Sequence, residues 1–145
     1  MKFFQKLDDF LDFGWAQIYR GKADKKSPAR YPTFVTSSTD CFPNARTLVM
    51  RRCDRKNSQI EFHTDTASSK MLVLGENPHA GIHIWLPKVQ LQIQMDVNVE
   101  VNVGDITIPN WRNVPTNSRV AYGTIPNPGT VIESSLAYDL SLIHI

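Results

Sequence analysis

From Val89 to Val103 the chain alternates apolar and polar residues without a break: Val89, Leu91, Ile93, Met95, Val97, Val99, Val101 and Val103 stand against Gln90, Gln92, Gln94, Asp96, Asn98, Glu100 and Asn102. Successive side chains of a strand point to opposite faces, so this pattern predicts one long strand with a dry and a wet face. A different period governs the start of the chain. Phe3, Phe4, Leu7, Phe10, Leu11, Trp15 and Ile18 recur near helical spacing up to Tyr19, which predicts an amphipathic N-terminal helix within residues 1–20 whose aromatic stripe packs on a sheet. Gly21 to Pro28 is polar and reads as a connector.

Shorter elements make up the rest of the chain. Thr33–Ser38 is a β-branched strand, Cys41–Asn44 a turn around Pro43, Ala45–Cys53 a second strand, and Gln59–Thr64 a third, with Ile60 and Phe62 on one face. A helix runs from a Thr66 or Ser68 cap through Gly75 and stops at Asn77-Pro78, because proline cannot continue it. Ala80–Trp85 is strand-like, Ile106–Asn113 a short helix, and Arg119–Tyr122 a last strand before the Pro126, Pro128 and Gly129 break. Trp85 and Trp111 read as core or interface residues. Strands in series with few helices and no βαβ alternation predict a mainly β fold, an antiparallel six-stranded split barrel with the N-terminal helix outside and the Val89–Val103 strand at its centre.

Composition narrows the function classes. At 145 residues, 41% hydrophobic and 21% charged, one domain spanning 1–145 is expected, with 130–145 as a short C-terminal tail. A net charge of +2 and a pI near 8.6 fall short of a nucleic-acid-binding surface. No apolar run is long enough for a membrane span and no signal-type segment opens the chain, so a soluble cytoplasmic protein is expected. Cys41 and Cys53 have neither metal-ligand spacing nor a disulfide framework and read as reduced thiols. His79 and His83 share a strand face without a third ligand type nearby, which argues against a metal site.

The remaining chemistry gathers in three places. Arg46-Thr47-Leu48-Val49-Met50-Arg51 carries a cation at each end, Ser68-Ser69-Lys70 opens a helix whose first amides are free, and Gln92 sits on the wet face of the long strand. Cations, hydroxyls and helix amides together suit a phosphate, while an amide side chain can donate and accept around a heterocycle. On a regular strand Arg46 and Arg51 point to opposite faces, so a bulge or a twisted strand end is needed for both to meet one ligand. Taken singly, both arginines also fit an exposed strand, Lys70 a solvated helix position, and Gln92 a polar face shared with Gln90 and Gln94.

In order and spacing these motifs resemble the pyridoxamine 5′-phosphate oxidase-like split-barrel flavoproteins, in particular the branch of flavin-binding domains related to that oxidase, from about Gly21 to about Gly129. The resemblance implies flavin mononucleotide (FMN) as cofactor. It implies that Arg46–Arg51 lines the flavin, with Arg46 toward the phosphate and Arg51 near the ring and substrate. It places His63-Thr64 where the family has an aromatic-Thr pair, Ser69-Lys70 on the phosphate, and Gln92 at the ring. It also implies a homodimer with flavin between subunits.

Three departures bear on the activity. Arg51 stands where the oxidase has Lys, a planar fork in place of a compact ammonium. Ser69 removes an Arg from the phosphate site. The tail Ser134–Ile145 lacks the Trp and Arg-x-His element that the oxidase uses for flavin and substrate, so pyridoxamine phosphate is not supported as a substrate. The expected function is an FMN-dependent oxidoreductase of unknown substrate; the alternatives are a non-catalytic flavin- or haem-binding split barrel and, disfavoured by charge, a small barrel for single-stranded nucleic acid.

Overall fold

The computed structural model describes residues 4–119 together with Tyr122 and Val131. In chain order the elements are α1 (Leu7–Ala23), a 3₁₀ turn (Pro28–Arg30), β1 (Thr33–Ser37), β2 (Pro43–Thr47), β3 (Met50–Asp54), β4 (Gln59–Phe62), α2 (Ser69–Glu76), β5 (His79–Leu86), β6 (Leu91–Asn98), a second 3₁₀ turn (Gly104–Thr107), α3 (Ile108–Arg112) and α4 (Thr116–Arg119). They fall into two compact units: the described residues up to His63 with His79–Asn98, and Thr64–Pro78 with the described residues from Val99 onward. The fold is mainly β with a few helices, and every strand pairing is antiparallel.

All six strands belong to the first unit. Four make a sheet in the order β2-β1-β5-β6 and two make a β3-β4 hairpin, with no ladder joining the sheets among the described residues. One face of the larger sheet is dry: Phe34, Thr36, Ile82, Ile84, Leu86 and Leu91 are all buried. Phe34 also meets Phe62 of β4, ring centroids 5.8 Å apart, so the sheets share apolar packing. Against these, α1 buries Ile18 and Gly21. A Cβ on Gly21 would lie 2.6 Å from the carbonyl carbon of Ala29, which explains the glycine there. Tyr19 Oη accepts the Arg55 N–H at 3.0 Å, and Asp12 pairs with Arg55.

Several expectations change. The helix is Leu7–Ala23, displaced toward the C-terminus from Phe3–Tyr19, and only its later turns pack inward; Leu7 and Leu11 on the same stripe are exposed. The segment Ala45–Cys53 is two strands and not one. Leu48 donates its N–H to Pro32 O (3.1 Å), just before β1 begins; β2 has there run out of partner, and the chain leaves the sheet to start β3. Pro43 opens β2 where a turn was expected.

The register of the alternating strand holds over Leu91–Asn98, where Leu91 is buried and Gln92, Gln94, Asp96 and Asn98 are exposed. Its length and position do not hold. Val89 lies in the turn that precedes it, Gln90 taking φ 51°, and past Asn98 only the Val99 N–H still reaches Pro78 O at 2.8 Å. Beyond that point the partner strand has not begun, so Val101 and Val103 keep their pattern but have no strand partner among the described residues and are exposed. Among the described residues strand β6 is an edge of its sheet. Trp85 and Trp111 are 49% and 43% exposed, so neither fills the core of the chain.

In the second unit α2 ends at Asn77-Pro78 as expected, and Trp111 lies edge-on to Tyr122 at 5.5 Å with the Arg119 guanidinium 5.2 Å from its ring centroid. Arg119 closes α4; Val120-Ala121 of the strand expected there, and the tail Ser134–Ile145, lie outside the described residues. Among the described residues no helix is long and apolar enough to cross a membrane, and no group of His, Cys, Asp or Glu is placed to hold a metal.

Candidate functional site

Arg46 faces the dry side of its sheet. Its ladder partner is Phe34, and it is the one residue of β2 that is not exposed. Burial lowers its guanidinium pKa from the ordinary arginine range, yet an arginine remains charged in a protein. One of its N–H groups is committed to the fold, since Nη1 donates to the hydroxyl of buried Thr36 at 2.8 Å. Thr47 is exposed, while Leu48 and Val49, half-buried, form the crossing between the sheets.

Arg51 sits on a bulge. Met50 pairs with Phe62 and Arg52 with Glu61, leaving Arg51 as the extra residue between two ladder positions. This is the irregularity that one ligand meeting both arginines requires, and the break at Leu48-Val49 adds a second. Met50 beneath it is fully buried, so the bulge is anchored. The Nε of Arg51 is buried and has no hydrogen-bond partner among the described residues. A buried donor left unmet is costly, of the order of 1–3 kcal/mol, which marks a position where an acceptor belongs.

His63 follows β4. Its Nε2 stands 2.9 Å from Glu61 Oε1, and with a carboxylate as acceptor that nitrogen carries the hydrogen. The pair was not singled out in the sequence, although residues two apart on a strand share a side. Gln92 is exposed on β6 and its ladder partner is Trp85, so the amide and the exposed indole are cross-strand neighbours on the wet face. Arg46 and Gln92 therefore occupy opposite faces of one sheet.

The second unit holds the rest. Ser68 is at the N-cap of α2, but its hydroxyl does not cap: it donates to Asp65 O at 2.8 Å and accepts from Lys70 Nζ at 2.7 Å. The Asp65 carboxylate takes the Ala67 N–H instead. An ammonium thus stands over the first turn of the helix beside exposed Ser69, while Thr64 is half-buried upstream. Cation, hydroxyl and helix N-terminus together make an anion-binding arrangement.

Comparison with known proteins identifies the family. The family model described as the pyridoxamine 5′-phosphate oxidase FMN-binding domain matches residues 14–102, more than half of the chain. A pyridoxine/pyridoxamine 5′-phosphate oxidase of Chromohalobacter salexigens is 24% identical over 110 residues, 76% of this chain and 50% of the relative. Among solved structures, an FMN-binding protein related to that oxidase from Nostoc punctiforme aligns with a TM-score of 0.66 at 24% identity, over 83% of this chain and 66% of its own. PhzG of Burkholderia lata, solved with tetrahydrophenazine-1-carboxylic acid, aligns with a TM-score of 0.72 at 14% identity, over 94% of this chain and 68% of its own. At these identities the structural likeness speaks for the fold, and the chain spans about half the length of the curated oxidase it resembles. The donor set fits FMN in its chemistry: the orphaned Arg51 Nε lacks an acceptor of the kind a flavin's oxygens and nitrogens provide, and Lys70 with Ser68 and Ser69 suits a phosphate. With the family match running through Arg46, Arg51, His63, Lys70 and Gln92 alike, the chain belongs to the pyridoxamine 5′-phosphate oxidase FMN-binding domain family, and FMN is its cofactor.

Proposed function

We propose that residues 1–145 act as one FMN-binding split-barrel domain of a cytoplasmic flavin-dependent oxidoreductase, its two sheets serving as the halves of the six-stranded barrel. The observation that carries the reading is the bulge at Arg51, which leaves a buried guanidinium N–H without an acceptor inside the family-matched segment. Bound FMN supplies the hydride or electron chemistry, and the protein supplies position and electrostatics. Arg46, Ser68, Ser69 and Lys70 hold the phosphate; Thr47, Leu48, Val49, Arg51, His63, Thr64 and Gln92 border the rest of the cofactor.

The phosphate assignment is tested by comparing FMN with riboflavin, which lacks the phosphate. Lys70→Ala is expected to weaken FMN by about 1–3 kcal/mol and to leave riboflavin nearly unchanged. For Arg46 the variant of choice is Arg46→Lys, because Arg46→Ala also strands the buried Thr36 hydroxyl and would weaken both ligands through the fold. Fluorescence titration of both ligands decides the matter: equal losses for riboflavin and FMN in Lys70→Ala would remove Lys70 from the phosphate site. The absorption spectrum of the purified protein separates flavin from haem directly.

The placement of Arg46 and Gln92 on opposite sheet faces favours a homodimer in which each flavin takes its phosphate anchor from one subunit and its Gln92 amide from the other. Sedimentation velocity on the FMN-loaded protein is expected to give a dimer. A stable FMN-loaded monomer would overturn the shared site.

A further inference from the structure

Two guanidinium groups stand across the ladder from one carboxylate. Arg52 is the register partner of Glu61, and the bulge places Arg51 beside Arg52 at the same step. A carboxylate so placed is the natural bidentate partner of an arginine fork. The described residues do not make that pair: Glu61 is engaged by His63 at 2.9 Å, and Arg51 Nε is left buried with no acceptor among them. Both members of the pair are half-buried, with side chains 23% and 34% exposed for His63 and Glu61, so the contact is not a fully solvated surface encounter. The charged or titratable groups that β3 presents along this ladder are Arg51, Arg52, Cys53 and Asp54; Asp54 carries the Asn57 and Lys56 contacts of the β3–β4 turn and is not a rival acceptor at Arg51.

We propose that His63 is a positioning residue: by holding the Glu61 carboxylate it keeps the Arg51 guanidinium open to the carboxylate of a bound substrate. The inference rests on the reading of Arg51 as a residue beside the flavin ring. In it the substrate class is a planar acid, since the planar fork that replaces the oxidase's ammonium matches a carboxylate with two parallel N–H bonds. Glu61 is the internal competitor for that position, and His63 is what removes it from competition.

The test uses the FMN-loaded chain with benzoate as probe and benzamide as its neutral counterpart, read by the perturbation of the flavin absorption bands. The unaltered protein is expected to bind benzoate at least about tenfold more tightly than benzamide. His63→Ala releases Glu61 onto Arg51 and is expected to weaken benzoate by about tenfold, while the double variant His63→Ala/Glu61→Gln recovers to within about threefold of the starting affinity. A merely structural role for His63 predicts no recovery in the double variant. Failure of the chain to take up FMN at all overturns the flavin reading and this inference with it. Uptake of FMN with benzoate binding indifferent to His63→Ala, or with no recovery on Glu61→Gln, overturns this inference alone.

Discussion

Ile84→Ala is expected to remove about 2–5 kcal/mol of stability, the largest loss of any variant considered, while Trp85→Ala one position along changes it by less than about 1 kcal/mol. The contrast follows from the sheet. Strand β5 has β1 on one side and β6 on the other, and Ile84 lies on the dry face, 2% exposed, with Ile93 as its ladder partner. Deleting its buried methyl groups leaves a cavity that two flanking strands hold open. Trp85 is on the other face, 49% exposed, where truncation removes area already in water. Urea unfolding of the two variants is the measurement. Comparable losses would mean that the faces of β5 have been assigned the wrong way round.

Gly21→Ala is expected to destabilise, against its helix propensity. Alanine is favoured over glycine in a helix interior by about 1 kcal/mol, so on propensity alone the substitution would help. The new Cβ would lie 2.6 Å from the Ala29 carbonyl carbon and 2.8 Å from Ala29 Cβ and O, atoms of a backbone turn that cannot rotate aside. Relieving that overlap requires moving α1 off the 3₁₀ turn, and overpacking of this kind costs about 1–3 kcal/mol or more, so the clash wins. Gly14 in the same helix has nothing within 4 Å of its added Cβ, and Gly14→Ala is expected to stabilise by up to about 1 kcal/mol. Thermal melts of the two variants should move in opposite directions. A shift of both midpoints upward would show that α1 does not seat against Ala29.

The parts of the fold readable in the sequence are those fixed by local periodicity. Leu91–Asn98 has its faces assigned by alternation, α2 stops where Pro78 forbids continuation, and the short helix at Trp111 is present. What was not readable depends on distant partners. Nothing in Thr47-Leu48-Val49-Met50 signals a break, since neither glycine nor proline is there; the break comes where the partner strand ends, β1 beginning only at Thr33 and Pro32 taking the last bond from Leu48. Val99–Val103 has the right alternation but, among the described residues, no strand beside it. The same division holds at the candidate site. The residue types that suit FMN could be recognised along the chain, and the chain's membership of the family is borne out by the match over residues 14–102. That Arg46 and Gln92 lie on opposite faces needed the register of β1 against β2 and β5, and that Glu61 turns to His63 and not to an arginine needed the bulge.

The strand order β2-β1-β5-β6 also sets a hazard during synthesis. A nascent chain produces β1 and β2 as adjacent partners, but the other edge of β1 must wait for His79–Leu86. The chain between Thr47 and His79 takes roughly two to six seconds to make at ordinary elongation rates, and for that time Thr33-Phe-Val-Thr-Ser37 offers an unpaired β-branched edge. Thr36, 1% exposed in the finished sheet opposite Ala80, is then open to water and to neighbouring nascent chains. Ribosome-bound chains that end between β4 and β5 are therefore the ones most dependent on chaperones, and slow translation through Thr64–Pro78 would extend that dependence.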